Sequence, residues 1–132
     1  MNLMNEELEV IAGVVPQDIG TADITGDYLP MEGADQILAT LTTEALTAAQ
    51  TATVELLQAT DAAGTGAKAL ATAVTGTAVT GALAVVASVG VKSDDFDTNN
   101  DFAFYAVKVT CSETGKLGAA TVARGHLRYS NT

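Results

Sequence analysis

The densest group of side chains able to do chemistry is Asp94, Asp95, Asp97, Asn99, Asn100 and Asp101. Carboxylate and amide oxygens at alternate positions suit a hard cation, and Asp95, Asp97 and Asn99 repeat the first, third and fifth ligand positions of a calcium loop. Asp101 would complete the set. The pattern then lapses: Asn100 stands where the turn glycine belongs, although Asn tolerates left-handed backbone, and Ala106 stands where the bidentate Glu is needed. A solvated connecting loop is the plainer reading of the same residues. A cation there would make the chain a calcium-dependent carbohydrate-binding or adhesion module.

Other candidates carry less. His126 is the single histidine, and no nucleophile or orienting carboxylate is tied to it by a recognised motif. Ser88, Ser93, Ser112 and Ser130 lack the G-x-S-x-G setting of a nucleophile elbow. Gly64, Gly66 and Lys68 superficially suggest a phosphate loop, but the Gly-Lys-Ser/Thr order is missing, and turn geometry accounts for the glycines. The expectation is a non-enzymatic chain with no cofactor. Lys116, Arg124 and Arg128 form the one basic concentration, placed to pair with acidic residues of the same fold or of a neighbouring copy.

The 132 residues suit one domain over positions 1–132, with residues 1–6 as a flexible arm. Nearly half are apolar, yet much of that fraction is Ala and Val, and Trp is absent, so the core should be thin. A formal charge of −10 repels phosphate backbones and argues against direct nucleic-acid binding. Eleven acidic residues, Glu6 to Asp61, precede the first basic one, Lys68, which splits the chain into an acidic half and a more balanced one. That half serves solubility or faces a basic partner. Cys111 is the lone cysteine, so no intrachain disulfide forms and a buried, apolar role is expected. MNLMNEELEV has acids where a signal peptide needs a basic region, so synthesis in a cytosol is expected. Residues 69–91 are uncharged and long enough to span a bilayer, but their Thr, Gly, Ala and Val content argues against a membrane helix.

The elements that must position these groups are short strands. Alternation predicts strands at Glu7–Val14, ending before Pro16 and Gly20, and at Thr51–Ala59. Asp27–Met31 reads as a brief edge piece because Pro30 cannot sit in a central strand. Gln36–Thr43 also fits the start of a helical stripe running to about Gln50 (Ile37, Leu41, Ala45, Ala48), but its β-branched, Thr-rich content favours a strand followed by a loop. Asp61–Gly66 is a turn; Ala67–Val74, Ala78–Leu83 and Val85–Val91 read as uncharged strands. Phe102–Cys111 and Ala119–Tyr129 read as a hairpin around a long turn. About eight strands between glycine-bearing turns predict an all-β single-domain sandwich or jelly-roll-like barrel.

A further signal lies in Val14, Pro16, Asp18, Thr21 and Ala22, then Gly26, Asp27 and Tyr28, then Gln58, Ala59 and Asp61, then Gly64, Thr65, Gly66, Lys68 and Leu70. This series resembles small virion structural proteins of tailed bacteriophages, over about half of the chain, and the resemblance ends after residue 70. It implies a virion location and a capsid decoration or cement role, with a tail-tube, head-tail connector or minor capsid protein as the alternative. The implied partners are the major capsid protein or other virion proteins, and further copies of the chain, a trimer being one form. The expected contact residues are Leu3, Met4 and Leu8 of the N-terminal arm, Tyr28, Leu29 and Met31 as apolar anchors, and Arg124 and Arg128.

Overall fold

The computed structural model describes residues 8–32, 34–79 and 83–125. Among these residues, ten strands form two antiparallel sheets packed face to face. Sheet A contains β1 (Leu8–Asp18), β10 (Leu117–Gly125), β4 (Gln36–Leu46) and β8 (Leu83–Lys92), in that order. In sheet B, β9 (Phe104–Cys111) and β5 (Thr51–Ala59) lie side by side. The short β2 (Ile24–Thr25) and β3 (Leu29–Pro30) flank β9, and β6 (Lys68–Ala69) and β7 (Val74–Thr77) flank β5. With β2/β3 and β6/β7 each counted as one interrupted strand, the pairs are first with last, second with seventh, third with sixth and fourth with fifth. That is a folded antiparallel ribbon, the eight-stranded jelly roll.

Period-2 burial sets each sheet's inner side. In β4, Ile37, Ala39, Leu41 and Thr43 are 0–4% exposed while their neighbours are open or half-open, which settles the helix-or-strand ambiguity of this segment. In β5, Ala52, Val54, Leu56 and Gln58 face inward, opposite Tyr105, Val107, Val109 and Cys111 of β9. Cys111 is buried and free. Small side chains make the core thin, and close backbone approaches complete it. A Cβ on Gly26 would stand 1.7 Å from the Gly13 carbonyl oxygen, so a side chain there would push the two sheets apart.

Four local expectations fail for physical reasons. β1 runs on through Pro16 to Asp18, because it is an edge strand and is bulged between Ala12 and Val14 and between Val14 and Gln17, where a missing N–H costs nothing. Ala67–Val74 is not one strand: β6 is two residues long, and β7 starts only at Val74. Ala78 lies outside any strand and pairs its backbone with Ala49 and Gln50; positions 80–82 of the expected Ala78–Leu83 strand lie outside the described residues. The proposed Phe102–Tyr129 hairpin does not exist, since β9 belongs to sheet B and β10 to sheet A, and Ser112–Lys116 carries the chain across the end of the sandwich.

Candidate assembly face

The acidic cluster does not converge. Asp95 Oδ2 accepts the Lys92 N–H at 2.9 Å, closing a short turn of helix at Ser93–Asp95. Asp97 turns the other way, to Lys68 Nζ at 2.6 Å and to the Asn100 amide. The Lys68 ammonium, then the Asn100 amide, hold the Asp97 carboxyl below the ordinary carboxylate range. The left-handed residue is Asp101, not Asn100. Among the described residues no three His, Cys, Asp or Glu side chains stand together as a metal site would need.

Lys68 also lies over the Phe102 ring, 4.4 Å from its centre, so the residue that looked like part of a phosphate loop ties two loops together. The turn before it is held by Asp61, whose carboxylate accepts from Ala63 N, Thr65 N and Thr65 Oγ1. Gly64 takes φ +81° there, and the Tyr28 ring packs where its side chain would be. The Gly26-Asp27-Tyr28 and Gly64-Thr65-Gly66 segments therefore meet in space as one structural corner.

The expected contact residues scatter. Leu3, Met4, Arg128 and His126 lie outside the described residues. Leu8 begins β1 opposite Gly125. Tyr28 and Leu29 are half-buried, Leu29 against the core. Met31 is 7% exposed and belongs to the core itself, because its N–H is drawn to Ala103 O and its side chain follows inward. Arg124 is used within the fold: Nη1 meets Glu9 Oε1 at 2.8 Å, and Nη2 donates to the Pro30 and Glu32 carbonyls. Lys108 reaches Asp23 and Lys116 reaches Glu44. The balanced half of the chain thus meets the acidic half intramolecularly.

What the geometry does assemble is the outer face of sheet A. Register places Val10, Ala123, Leu38 and Gly90 in one transverse row and Ala12, Thr121, Thr40 and Ser88 in the next. Ala119, Thr42 and Val86 form a third. All eleven side-chain positions are uncharged. Val10 is 68% exposed, Val86 65% and Leu38 45%, large apolar groups spread over a face that carries no charge. The charged residues of sheet A sit at its two ends, Glu9, Lys92 and Arg124 at one and Asp18 and Glu44 at the other. Near Lys92 the face dips into an open groove of about 450 Å³, lined by Leu38, Gly90 and Ala123, with Gln36 and Asp95 at its rim.

The sequence picks out the uncharged strands without deciding between an assembly surface and a thin core. The missed signal was that β4 and β8 are uncharged at both parities over most of their length, which a one-sided sheet does not require.

No family model matches the sequence, and no curated protein matches it. Among solved structures, a chain from infectious bursal disease virus Gx strain is similar at 8% identity and TM-score 0.47, over 89% of this chain and 31% of that one. A Bacillus endospore appendage of the disulfide-linked pilus kind is similar at 12% and 0.40, over 90% and 88%. A carbohydrate-binding module specific for non-crystalline cellulose is similar at 11% and 0.42, over 86% and 72%. The chain spans about a third of the length of the viral chain. Likenesses this distant carry no argument about what the protein does; the sandwich is established by its own strand pairing.

Proposed function

We propose that this chain is a non-enzymatic structural protein of a bacteriophage virion, a capsid decoration or cement protein that docks the outer face of sheet A on the head shell. The observation that carries the reading is the face itself: three rows of uncharged side chains, bounded by charged ends, on a molecule of net charge −10. An uncharged centre inside a charged rim suits a protein interface, whose core is depleted of charged residues. The resemblance of residues 14–70 to tailed-phage virion proteins supplies the particle.

Magnitudes fit a many-copy contact. Four strands about 4.8 Å apart and about eight residues long at roughly 3.3 Å each cover on the order of 500 Å². A stable pairwise interface uses about 800 Å² per partner. One copy would bind weakly, and repetition over a shell would multiply the effect.

The test is mass spectrometry of purified virions, followed by adding the purified chain to shells stripped of it. The chain should be present at hundreds of copies and rebind, and Thr40→Glu should weaken rebinding at least tenfold. Its absence from virions would overturn the proposal.

A further inference from the structure

The two edges of sheet A are built differently. The β1 edge carries Glu9, Pro16 and two bulges, the devices that stop one sheet from pairing with another. The β8 edge carries no charge and no proline between Leu83 and Val91: its sequence is LAVVASVGV, and its one irregularity with β4, between Ala84 and Val86, leaves the register regular from Val86 to Lys92.

Which of its backbone groups face outward follows from two hydrogen bonds. Ser93 N–H donates to Asp35 O at 2.9 Å, and Lys92 N–H turns away from β4 to Asp95 Oδ2 at 2.9 Å. Alternate residues of an antiparallel strand bond to the same neighbour. Ala87, Val89 and Val91 therefore bond to β4, and Val86, Ser88 and Gly90 point their N–H and C=O groups away from it. β7 covers one end of this edge, since a Cβ on Gly76 would stand 3.6 Å from Val86 O. Asp95 closes the other end. Between them Ser88 and Gly90 present two donors and two acceptors with no partner among the described residues. Ala87, Val89 and Val91 keep 5–7% exposure, against 0–1% for Ile37, Ala39 and Leu41 on the adjoining β4.

We infer that this edge pairs with the same edge of a second copy, about a two-fold axis at Val89. Antiparallel pairing of β8 with itself sets Ser88 opposite Gly90 of the second copy, and Gly90 opposite its Ser88. All four outward donors and acceptors are matched, which is the self-complementarity that a two-fold interface needs. The side chains at the seam are a hydroxymethyl and a hydrogen, so nothing bulky stands in the way. The seam is also where two polyanions can approach. The nearest charge on β8 is Lys92, about 10 Å from Val89 along the strand. The product is one eight-stranded sheet with a continuous uncharged outer face twice as wide. This inference concerns the edge and not the outer face, so it stands or falls apart from the shell-docking reading.

Sedimentation velocity on the whole chain, taken up to about 0.5 mM because so small a contact is governed by mass action, should show a monomer–dimer equilibrium. Added salt should tighten it by screening like-charged bodies. Gly90→Pro deletes one outward N–H without touching the β4 ladder and should weaken association at least tenfold with an unchanged circular dichroism spectrum. Ser88→Glu, which sets two carboxylates beside the axis, should do the same and serves if the proline variant does not fold. Thr40→Glu, one strand in from the edge, should leave the dimer intact. Hydrogen exchange should slow at the Ser88 and Gly90 amides as concentration rises, while Ala87, Val89 and Val91 are slow throughout. A wild-type chain that stays monomeric, exchange at Ser88 and Gly90 that ignores concentration, or a dimer dissolved by Thr40→Glu or by salt but not by the β8 variants would overturn the inference.

Discussion

The outer faces of the two sheets differ in where the charge sits. On sheet B, Glu55 lies directly across from Lys108, and Lys108 also reaches Asp23 at 3.3 Å, with Thr53, Thr75 and Thr110 around them. That face is dressed for water, and its Thr53–Thr75 hydroxyl contact and Lys108–Asp23 ion pair are satisfied within the chain. On sheet A the corresponding positions are Ala, Thr, Ser, Gly, Val and Leu, with the charges moved to the ends. Both sheets bury their inner sides equally well, so the core does not explain the difference. A surface kept uncharged on a strongly acidic protein is most simply a surface meant to be covered.

The comparison can be broken at several points. The largest expected effect separates the two sides of β4. Leu41→Ala, which empties a fully buried site, should cost about 2–5 kcal/mol of stability. Leu38→Ala, three residues earlier on the exposed side, should cost under about 1 kcal/mol. Urea melts of both variants measure this; equal losses would mean that the outer face is part of the core. Next, Thr40→Glu should weaken shell rebinding at least tenfold, roughly 1.4 kcal/mol. Thr53→Glu on sheet B should leave rebinding within about twofold, a difference of roughly 0.4 kcal/mol. Loss in both would move docking away from sheet A. Smaller still, Lys108→Ala should cost about 0.2–1 kcal/mol, as exposed ion pairs do, and should leave rebinding unchanged.

The smallest effect concerns acid. Asp61 is held below the ordinary carboxylate range mainly by hydrogen bonds from Thr65, Asp97 by Lys68, Asp23 by Thr110 and Lys108, and Glu113 by Thr47. Groups with lowered folded values add stability that is complete above their unfolded values, near pH 4, and is lost as pH falls through the folded ones. Melting temperature should therefore decline below about pH 4, and all four groups lie off the outer face of sheet A. A melting temperature flat from pH 5 to 3 would contradict these assignments.

How much of this could be read in the chain varies by element. Thr51–Ala59 was legible to the residue, because alternation with one buried face leaves a period of two. The Asp61–Gly66 turn was legible because Gly64 and Gly66 adopt the positive φ that their type permits. The β9–β10 hairpin was not. Both strands bury alternate residues and the SETGKLG link looks like a turn, yet alternation tells which side of a strand is inward and says nothing about which sheet it joins. The outer face was half-legible: β8 is apolar on both sides, and sequence alone cannot tell an uncharged surface from a second buried side. The acidic cluster was legible as a connecting loop, while spacing along the chain could not show that Lys68 arrives from another loop to pair with Asp97.

Strand order has one more consequence. β10 lies in the middle of sheet A, between β1 and β4, although it comes last among the strands. While the chain is being made, β1 and β4 have no neighbour to join them, and sheet A cannot close until residues 117–125 emerge. At about 5–20 residues per second that delay lasts several seconds. Distant pairings of this kind also fold slowly. The wait acts as a timer: an unfinished or cleaved chain lacking β10 has no closed outer face to display.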